Sequence, residues 1–311
     1  MSKIGAFFKL VRWPNLLMTA LMMCLVYHCV MGVGSTIGFV LLTISVVFVF
    51  AGGYVINDIF DKEIDVVNKP DRLIVGKVFT EKQCDIFYWT LTIIGLACAL
   101  ASSLITYGNK FLPVFLCLLL LVCVFYSYSS RYKKKLVIGN VIVSVSIAFV
   151  TFLPWLFQIL AMRGDEISLI ENEEWMHQSL HLVLIYTVFA FLLTLIREIV
   201  KDMEDVVGDA NQHCRTIPIA WGIKTAQIIV MVLCVSTFIM IMYAKEYLHG
   251  FGFAITSYML EGAGIFMFVM LFGNVFSLFD SSLRTSKQFH IQSIALKISM
   301  LVGVLSMFFI K

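Results

Sequence analysis

The sequence predicts an all-α, polytopic membrane protein, and three observations carry that prediction. The 311 residues are 60% hydrophobic and only 14% charged, with a mean hydropathy of +0.93, a balance that leaves too little polar surface for a water-soluble domain of this length. Nine apolar segments reach the ~20 residues that a spanning helix needs. Basic residues gather on alternate connecting segments, as the positive-inside rule requires.

The nine segments are about 15–34, 36–56, 84–107, 111–130, 137–160, 181–200, 224–244, 252–276 and 289–310. Met1 to Val11 is a short basic amphipathic stretch with Lys3 and Lys9 that runs into Arg12-Trp13-Pro14. It lacks the pattern of a cleavable signal, so the first span is expected to stay. With the N-terminus in the cytoplasm, that side collects Lys62, Lys69, Arg72, Lys77, Lys82, Arg131, Lys133, Lys134, Lys135, Arg197, Lys201, Arg215, Lys224, Arg284 and Lys287 in addition to the N-terminal cations. The outer side collects only Lys110, Arg163, Lys245 and Lys311. The connector before the sixth span, with Asp165, Glu166, Glu171, Glu173 and Glu174, reads as a solvated outer loop. The expectation is an integral, multi-pass protein of the cell membrane, in contact with membrane lipids.

Other composition signals are quieter. The net charge of +3 is too small to suggest a nucleic-acid partner. The eight cysteines lie mainly in apolar runs without a C-x-x-C or metal-ligand spacing, and read as small packing residues. Of the six histidines only His177 and His181 are spaced as a pair, which reads as interfacial rather than as a zinc site.

Two aspartate clusters hold the chemistry. Asn57, Asp58, Asp61 and Asp65 stand in NDIFDKEID at the end of the second span, and Asp202, Asp205 and Asp209 stand in KDMEDVVGD at the end of the sixth. Spacing by four puts Asn57, Asp61 and Asp65 on one helical face, and likewise Arg197, Lys201, Asp205 and Asp209. An even number of crossings separates the two span ends, so both clusters reach the cytoplasmic face. Carboxylates at a helix C-terminus are opposed by the helix dipole, and ionisable groups reached directly from an apolar run are costly and generally functional. Magnesium prefers such oxygen ligands and binds one or two carboxylates together with phosphate oxygens. Asp58 lies off the first face, as a neighbour able to support the ligands. Gly52 and Gly53 suggest a close backbone approach at the mouth of the site.

A basic segment, YSYSSRYKKKLVIGN, links the fourth and fifth spans; Lys134 and Lys135 read as an anchor, while Lys133 and Asn140 can reach a phosphate. Asp61 and Asp65 recur as Asp205 and Asp209, each pair followed by a Pro- and Lys-containing stretch (NKPDRLIVGK and RTIPIAWGIK). One domain, 1–311, built of two pseudo-repeated four-helix halves plus a ninth helix, is the expected organisation.

These residues resemble the UbiA superfamily of intramembrane prenyltransferases. The resemblance covers nearly the whole chain and rests on NDIFDKEID, the following N-x-P-x-R, the segment from Lys133 to Asn140, and REIVKDMEDVVGD with its trailing TIP. It implies nine helices around a central cavity, with the two acidic motifs facing each other under a cytoplasmic cap. It also implies Mg2+ as cofactor, a polyprenyl diphosphate as donor and a lipophilic acceptor. Carried over by position, Asn57, Asp61, Asp65, Asp205 and Asp209 hold the metals, with Asp58 and Asp202 in the same set. Asp61, Asp65, Asp205 and Asp209 are thereby catalytic. Arg72, Lys133 and Lys201 contact the diphosphate, and Asn15 and Asn140 match polar cavity positions.

The implied reaction is ionisation of the allylic C–O bond as charge develops on the diphosphate, with Tyr54, Tyr126 or Tyr128 sheltering the cation. Many members carry Tyr four residues before the Lys of the second motif, where this chain has Arg197. The motif looks most like the branch that prenylates geranylgeranylglyceryl phosphate, and a guanidinium suits a phosphate-bearing acceptor. Leu73, in place of the usual Pro, and His213-Cys214-Arg215, in place of Gly-Arg-Lys, leave an aromatic quinone precursor as the alternative acceptor. A secondary transporter is the alternative of another class, but its sites sit near the bilayer midplane, where this chain offers mainly Glu261 and Lys297.

Overall fold

The computed structural model describes residues 2–29, 35–68, 73–108, 112–162, 173–211, 213–280, 282 and 284–310; within these, the side chains of 68, 112, 268, 269, 271 and 272 are left aside. The described chain is nearly all helical, in thirteen α-helices: α1 (Lys3–Leu10), α2 (Trp13–Cys29), α3 (Thr36–Phe60), α4 (Lys62–Asn68), α5 (Glu81–Tyr107), α6 (Leu112–Ser127), α7 (Ile138–Met162), α8 (Glu173–Glu204), α9 (Val206–Asn211), α10 (Ile217–Trp221), α11 (Ile223–Gly250), α12 (Ala254–Phe279) and α13 (Ser286–Ser306).

Starts are written in local chemistry. Ser2, Ser35, Thr80 and Thr285 accept a backbone N–H from the first turns of α1, α3, α5 and α13, and Thr80 with Gln83 completes a reciprocal capping box. Arg12 adopts a left-handed φ of 53° between α1 and α2, which therefore meet at a 51° bend.

Among the described residues seven helices are long and apolar enough to cross a membrane, and the bent pair α1–α2 brings the number to eight at most. All nine predicted segments fall on helices, though with altered limits. The sixth grows from 181–200 to the 32 residues of α8, because Glu173 and Glu174 enter its first turn instead of the solvated connector. Residues 163–172 of that connector lie outside the described residues. The eighth segment, 252–276, falls on the 26 residues of α12. Exposed Ile86, Ile93, Leu120, Ile239 and Ile265 ring several of these helices with apolar surface, as a lipid solvent demands.

The chain packs as two compact units, Met1–Lys133 with Val150–Val183, and Lys134–Phe149 with Leu184–Lys311. In the first, α3 is central and packs most extensively on α5. Small residues let these two approach: Ser102 Oγ donates to the Gly38 carbonyl at 2.6 Å, and a Cβ on Gly95 would stand 3.0 Å from Val49. Gly52 and Gly53 serve the same end. A Cβ there would meet Thr92 Oγ1 at 2.9 Å and the Phe125 ring at 2.7 Å, so the close approach these glycines allow is to α5 and α6.

In the second unit α12 packs on α11 and α13. Polar pairs tie this interior together: Gln227 Nε2 donates to Ser277 Oγ at 2.5 Å, Tyr186 and Ser306 hydroxyls meet at 2.9 Å, and Thr256 donates to the Ser306 carbonyl at 3.1 Å. Glu261 pairs with Lys245 of α11 at 3.0 Å. All eight cysteines are free thiols.

Candidate active site

Both acidic motifs share one backbone plan. A long helix ends, an aspartate stands at the break, and a short helix carries the next aspartate one turn on. In the first motif Asp61 caps α3 in helical conformation; its N–H reaches the Asn57 carbonyl at 2.9 Å, and Asp65 N–H reaches the Asp61 carbonyl at 2.8 Å. In the second, Asp205 stands between α8 and α9; its N–H reaches Lys201 O at 2.9 Å, and Asp209 N–H reaches Asp205 O at 3.2 Å. The predicted four-residue spacing thus survives in the hydrogen bonding, although neither motif lies on one unbroken helix.

The side chains of the first motif draw on distant partners. Asp61 is buried, and its Oδ2 accepts from Asn57 Nδ2 at 2.6 Å and from the Lys133 ammonium. Lys133 follows a π-helical turn, Tyr128–Tyr132, that ends in a Lys133 N–H to Tyr128 carbonyl bond of 2.9 Å; such wide turns are common at functional sites. Burial works against the Lys133 charge, but the Asp61 carboxylate and Tyr128 outweigh it and hold the ammonium above the ordinary lysine range. Asp58 Oδ1 accepts from Arg12 Nη2 at 2.7 Å. Arg12 also lies 4.8 Å from the centre of the Tyr54 ring, and Asn15 Nδ2 donates to the Tyr54 hydroxyl at 3.4 Å. One face of the Tyr54 ring, a candidate to shelter an allylic cation, is therefore covered by a guanidinium. Arg72 lies outside the described residues.

The cations of the second motif are held locally. Glu198, which the motif reading left without a role, is buried and accepts from Arg197 Nη1 at 2.8 Å and from Lys201 Nζ at 3.2 Å. Its only sequence signal was its place between those two cations. Among the described residues Arg197 Nε is buried without a hydrogen-bond partner. Asn140 Nδ2 donates to Asp202 Oδ2 at 2.8 Å, so the two polar residues predicted from separate segments do meet. Asp209 is buried, and its carbonyl accepts the Cys214 N–H at 2.9 Å. His290 Nδ1 stands 2.8 Å from Glu204 Oε1, joining α13 to the end of α8.

Among the described residues no three histidine, cysteine, aspartate or glutamate side chains converge on one point. The donors present are carboxylate and carboxamide oxygens, the set a hard divalent cation takes. Magnesium completes its shell with waters and phosphate oxygens, so one or two carboxylates suffice. The residues fit that metal.

Apolar spans, two of which end in acidic motifs flanked by Lys, Arg and Asn, are the features of a membrane-embedded enzyme. The chain belongs to the UbiA prenyltransferase family, whose profile matches residues 15–294, and it is a prenyltransferase. It is 30% identical over 245 residues to the digeranylgeranylglyceryl phosphate synthase of Sulfurisphaera tokodaii, covering 76% of this chain and 78% of that one. It is 32% identical over 240 residues to the synthase of that name from Methanopyrus kandleri, covering 75% and 77%. A structure solved in work on digeranylgeranylglyceryl phosphate synthase in membranes shares the fold at a TM-score of 0.64 and 23% identity, covering 99% of this chain and 98% of that one. A UbiA homolog from Archaeoglobus fulgidus, bound to GPP and Mg2+, shares it at 0.56 and 16% identity, covering 97% and 99%.

Proposed function

We propose that this prenyltransferase moves a polyprenyl group from an allylic diphosphate to a prenylglyceryl phosphate, in a Mg2+-dependent step of ether-lipid synthesis. The observation that carries the acceptor choice is Arg197, whose Nε is buried with no partner among the described residues while its Nη1 is anchored on Glu198. A buried donor of this kind needs an acceptor oxygen, and a phosphate supplies one in the planar geometry a guanidinium favours. The relatives named above, synthases of digeranylgeranylglyceryl phosphate, support the same reading.

The chain's residues take these roles. Asn57, Asp61 and Asp65, with Asp58 behind them, and Asp205 and Asp209, with Asp202 behind them, provide the oxygen ligands. Bound Mg2+ there supplies positive charge to a leaving diphosphate. Lys133 and Lys201 add donors that strengthen as that charge develops, and Arg72 is assigned to the same task from its motif position. Asn140 orients Asp202 through its amide, and Asn15 orients Tyr54. A nine-span, single-domain arrangement of two related halves is supported by the apolar segments and the repeated acidic motif, a cap by the family resemblance, and a cytoplasmic active site by the distribution of basic residues.

Purified protein offered a prenyl diphosphate together with a prenylglyceryl phosphate, hydroxybenzoate or dihydroxynaphthoate decides the acceptor. Turnover of the glyceryl phosphate is expected; turnover of the aromatic acids alone refutes the proposal. Chelation should abolish transfer and added magnesium restore it.

A further inference from the structure

Glu204 is the last residue of α8 and stands next to Asp205, which the proposed function places among the metal ligands. Its carboxylate lies at the negative end of that helix, a position the helix dipole opposes, and its side chain is only 12% exposed. Such a group needs a donor. Among the described residues that donor is His290 of α13, whose Nδ1 stands 2.8 Å from Glu204 Oε1. A carboxylate can only accept, so the imidazole carries the shared proton.

The same two helices are tied again at their other ends. The hydroxyls of Tyr186 on α8 and Ser306 on α13 meet at 2.9 Å, and both residues are buried. Ser306 Oγ donates to the Gly303 carbonyl at 2.7 Å, so Tyr186 is the donor of the pair. At ~1.5 Å per residue the two ties stand about 27 Å apart along α8 and about 24 Å apart along α13. The helices therefore run side by side and antiparallel, with one polar tie at each end.

The ties differ in what lies beside them. Tyr186 is most of a membrane thickness away from the second motif, whereas Glu204 is the residue before Asp205. The Asp205 N–H continues the helical bonding of α8, reaching the Lys201 carbonyl at 2.9 Å, so a displacement of Glu204 carries the Asp205 backbone with it. With 3.6 residues to a turn, neighbouring side chains project about 100° apart. The anchor and the Asp205 carboxylate thus use different faces of the helix end.

We propose that His290 is a positioning residue of the prenyl-transfer site: by donating to Glu204 it fixes the end of α8, and hence the place at which Asp205 meets a divalent cation. This rests on the reading that the second motif holds Mg2+. Groups hydrogen-bonded behind the ligands of a metal commonly set its affinity by about 10–100-fold, and His290, acting through the neighbouring residue, belongs at the lower end of that range. It lies 86 residues from Glu204 in the chain, so no spacing in the sequence announces it.

The test is Mn2+ binding by the full-length protein in nanodiscs, followed by loss of the free-ion EPR signal, together with the Mg2+ concentration that gives half-maximal prenyl transfer. His290→Leu, or His290→Phe should the first variant not fold, is expected to weaken Mn2+ binding about tenfold and to raise the Mg2+ requirement by a similar factor, with kcat at saturating Mg2+ unchanged. His290→Asn, whose amide nitrogen falls close to the position of Nδ1, should recover most of the affinity. Tyr186→Phe breaks the other tie; it should lower the thermal midpoint and leave both metal constants unchanged. Wild-type metal constants in His290→Leu, no recovery in His290→Asn, or an equal loss in Tyr186→Phe overturns the proposal. Asp205→Ala separates this from the reading beneath it: Mn2+ bound there as in wild type refutes the metal assignment itself, whereas loss there with no effect of His290→Leu refutes only the positioning role.

Discussion

The two acidic motifs share a backbone plan and differ in where their counter-charges come from. Asp58 and Asp61 are met by Arg12 and Lys133, 46 and 72 residues away in the chain. Arg197 and Lys201 are met by Glu198, one and three residues away on their own helix. Asp202 has a neutral partner, Asn140. The first motif is therefore held in shape by tertiary packing, because its cations arrive on other elements. The cations of the second are anchored on their own helix before any substrate arrives. The same four-residue spacing of carboxylates can be built on two different electrostatic supports.

The largest effects should be common to both. Asp61→Ala and Asp205→Ala are each expected to lower turnover by at least about 10²–10³-fold, the scale of losing a principal electrostatic group. The first motif's dependence on a distant cation shows in stability: Asp61→Ala strands the part-buried Lys133 and should lower the thermal midpoint, and adding Lys133→Gln should restore part of that loss. No recovery on adding Lys133→Gln would show that the distant cation does not support the first motif.

Smaller and opposite effects are expected from the cations and their partners. Glu198→Gln releases Arg197 and Lys201 from their shared carboxylate, costs up to about 3 kcal/mol of stability, and should strengthen inhibition by inorganic pyrophosphate. Lys133→Gln removes a diphosphate donor and should weaken that inhibition. Calorimetry with inhibition titrations separates the two, and shifts of the same sign would show that Glu198 does not hold its cations in reserve.

Least of all should depend on the outermost pair. Arg12 is more than a third exposed, so a double-mutant cycle on Arg12→Ala and Asp58→Ala is expected to give a coupling of only about 0.5 kcal/mol. A coupling several times larger would make the α1–α2 bend a major support of the first motif.

Much of this architecture was legible before any fold was known. Apolar segments of sufficient length correspond to helices throughout, and the caps at Ser35, Thr80 and Thr285 are local signals of Ser or Thr preceding a helical run. The Asn57-Asp61-Asp65 and Asp205-Asp209 spacings also persisted in the hydrogen bonds. Less legible were the breaks at Asp61 and Asp205 and the wide turn before Lys133, because a continuous helical pattern gives no notice of where one hydrogen bond will be exchanged for another. The close approach at Gly52 and Gly53 was legible but its partners, Thr92 and Phe125, were not, because they lie on other helices.

What the sequence by itself determined is the class of solvent, the positions of the long helices and the chemical kind of each candidate side chain, since hydropathy, turn residues and donor atoms are properties of single residues and their near neighbours. Only the tertiary structure decided which polar group meets which, as in Lys133 with Asp61, Arg12 with Asp58 and His290 with Glu204. Those partners are chosen by distance through packed helices, and electrostatic interaction depends on that distance and on burial, neither of which is written in chain order.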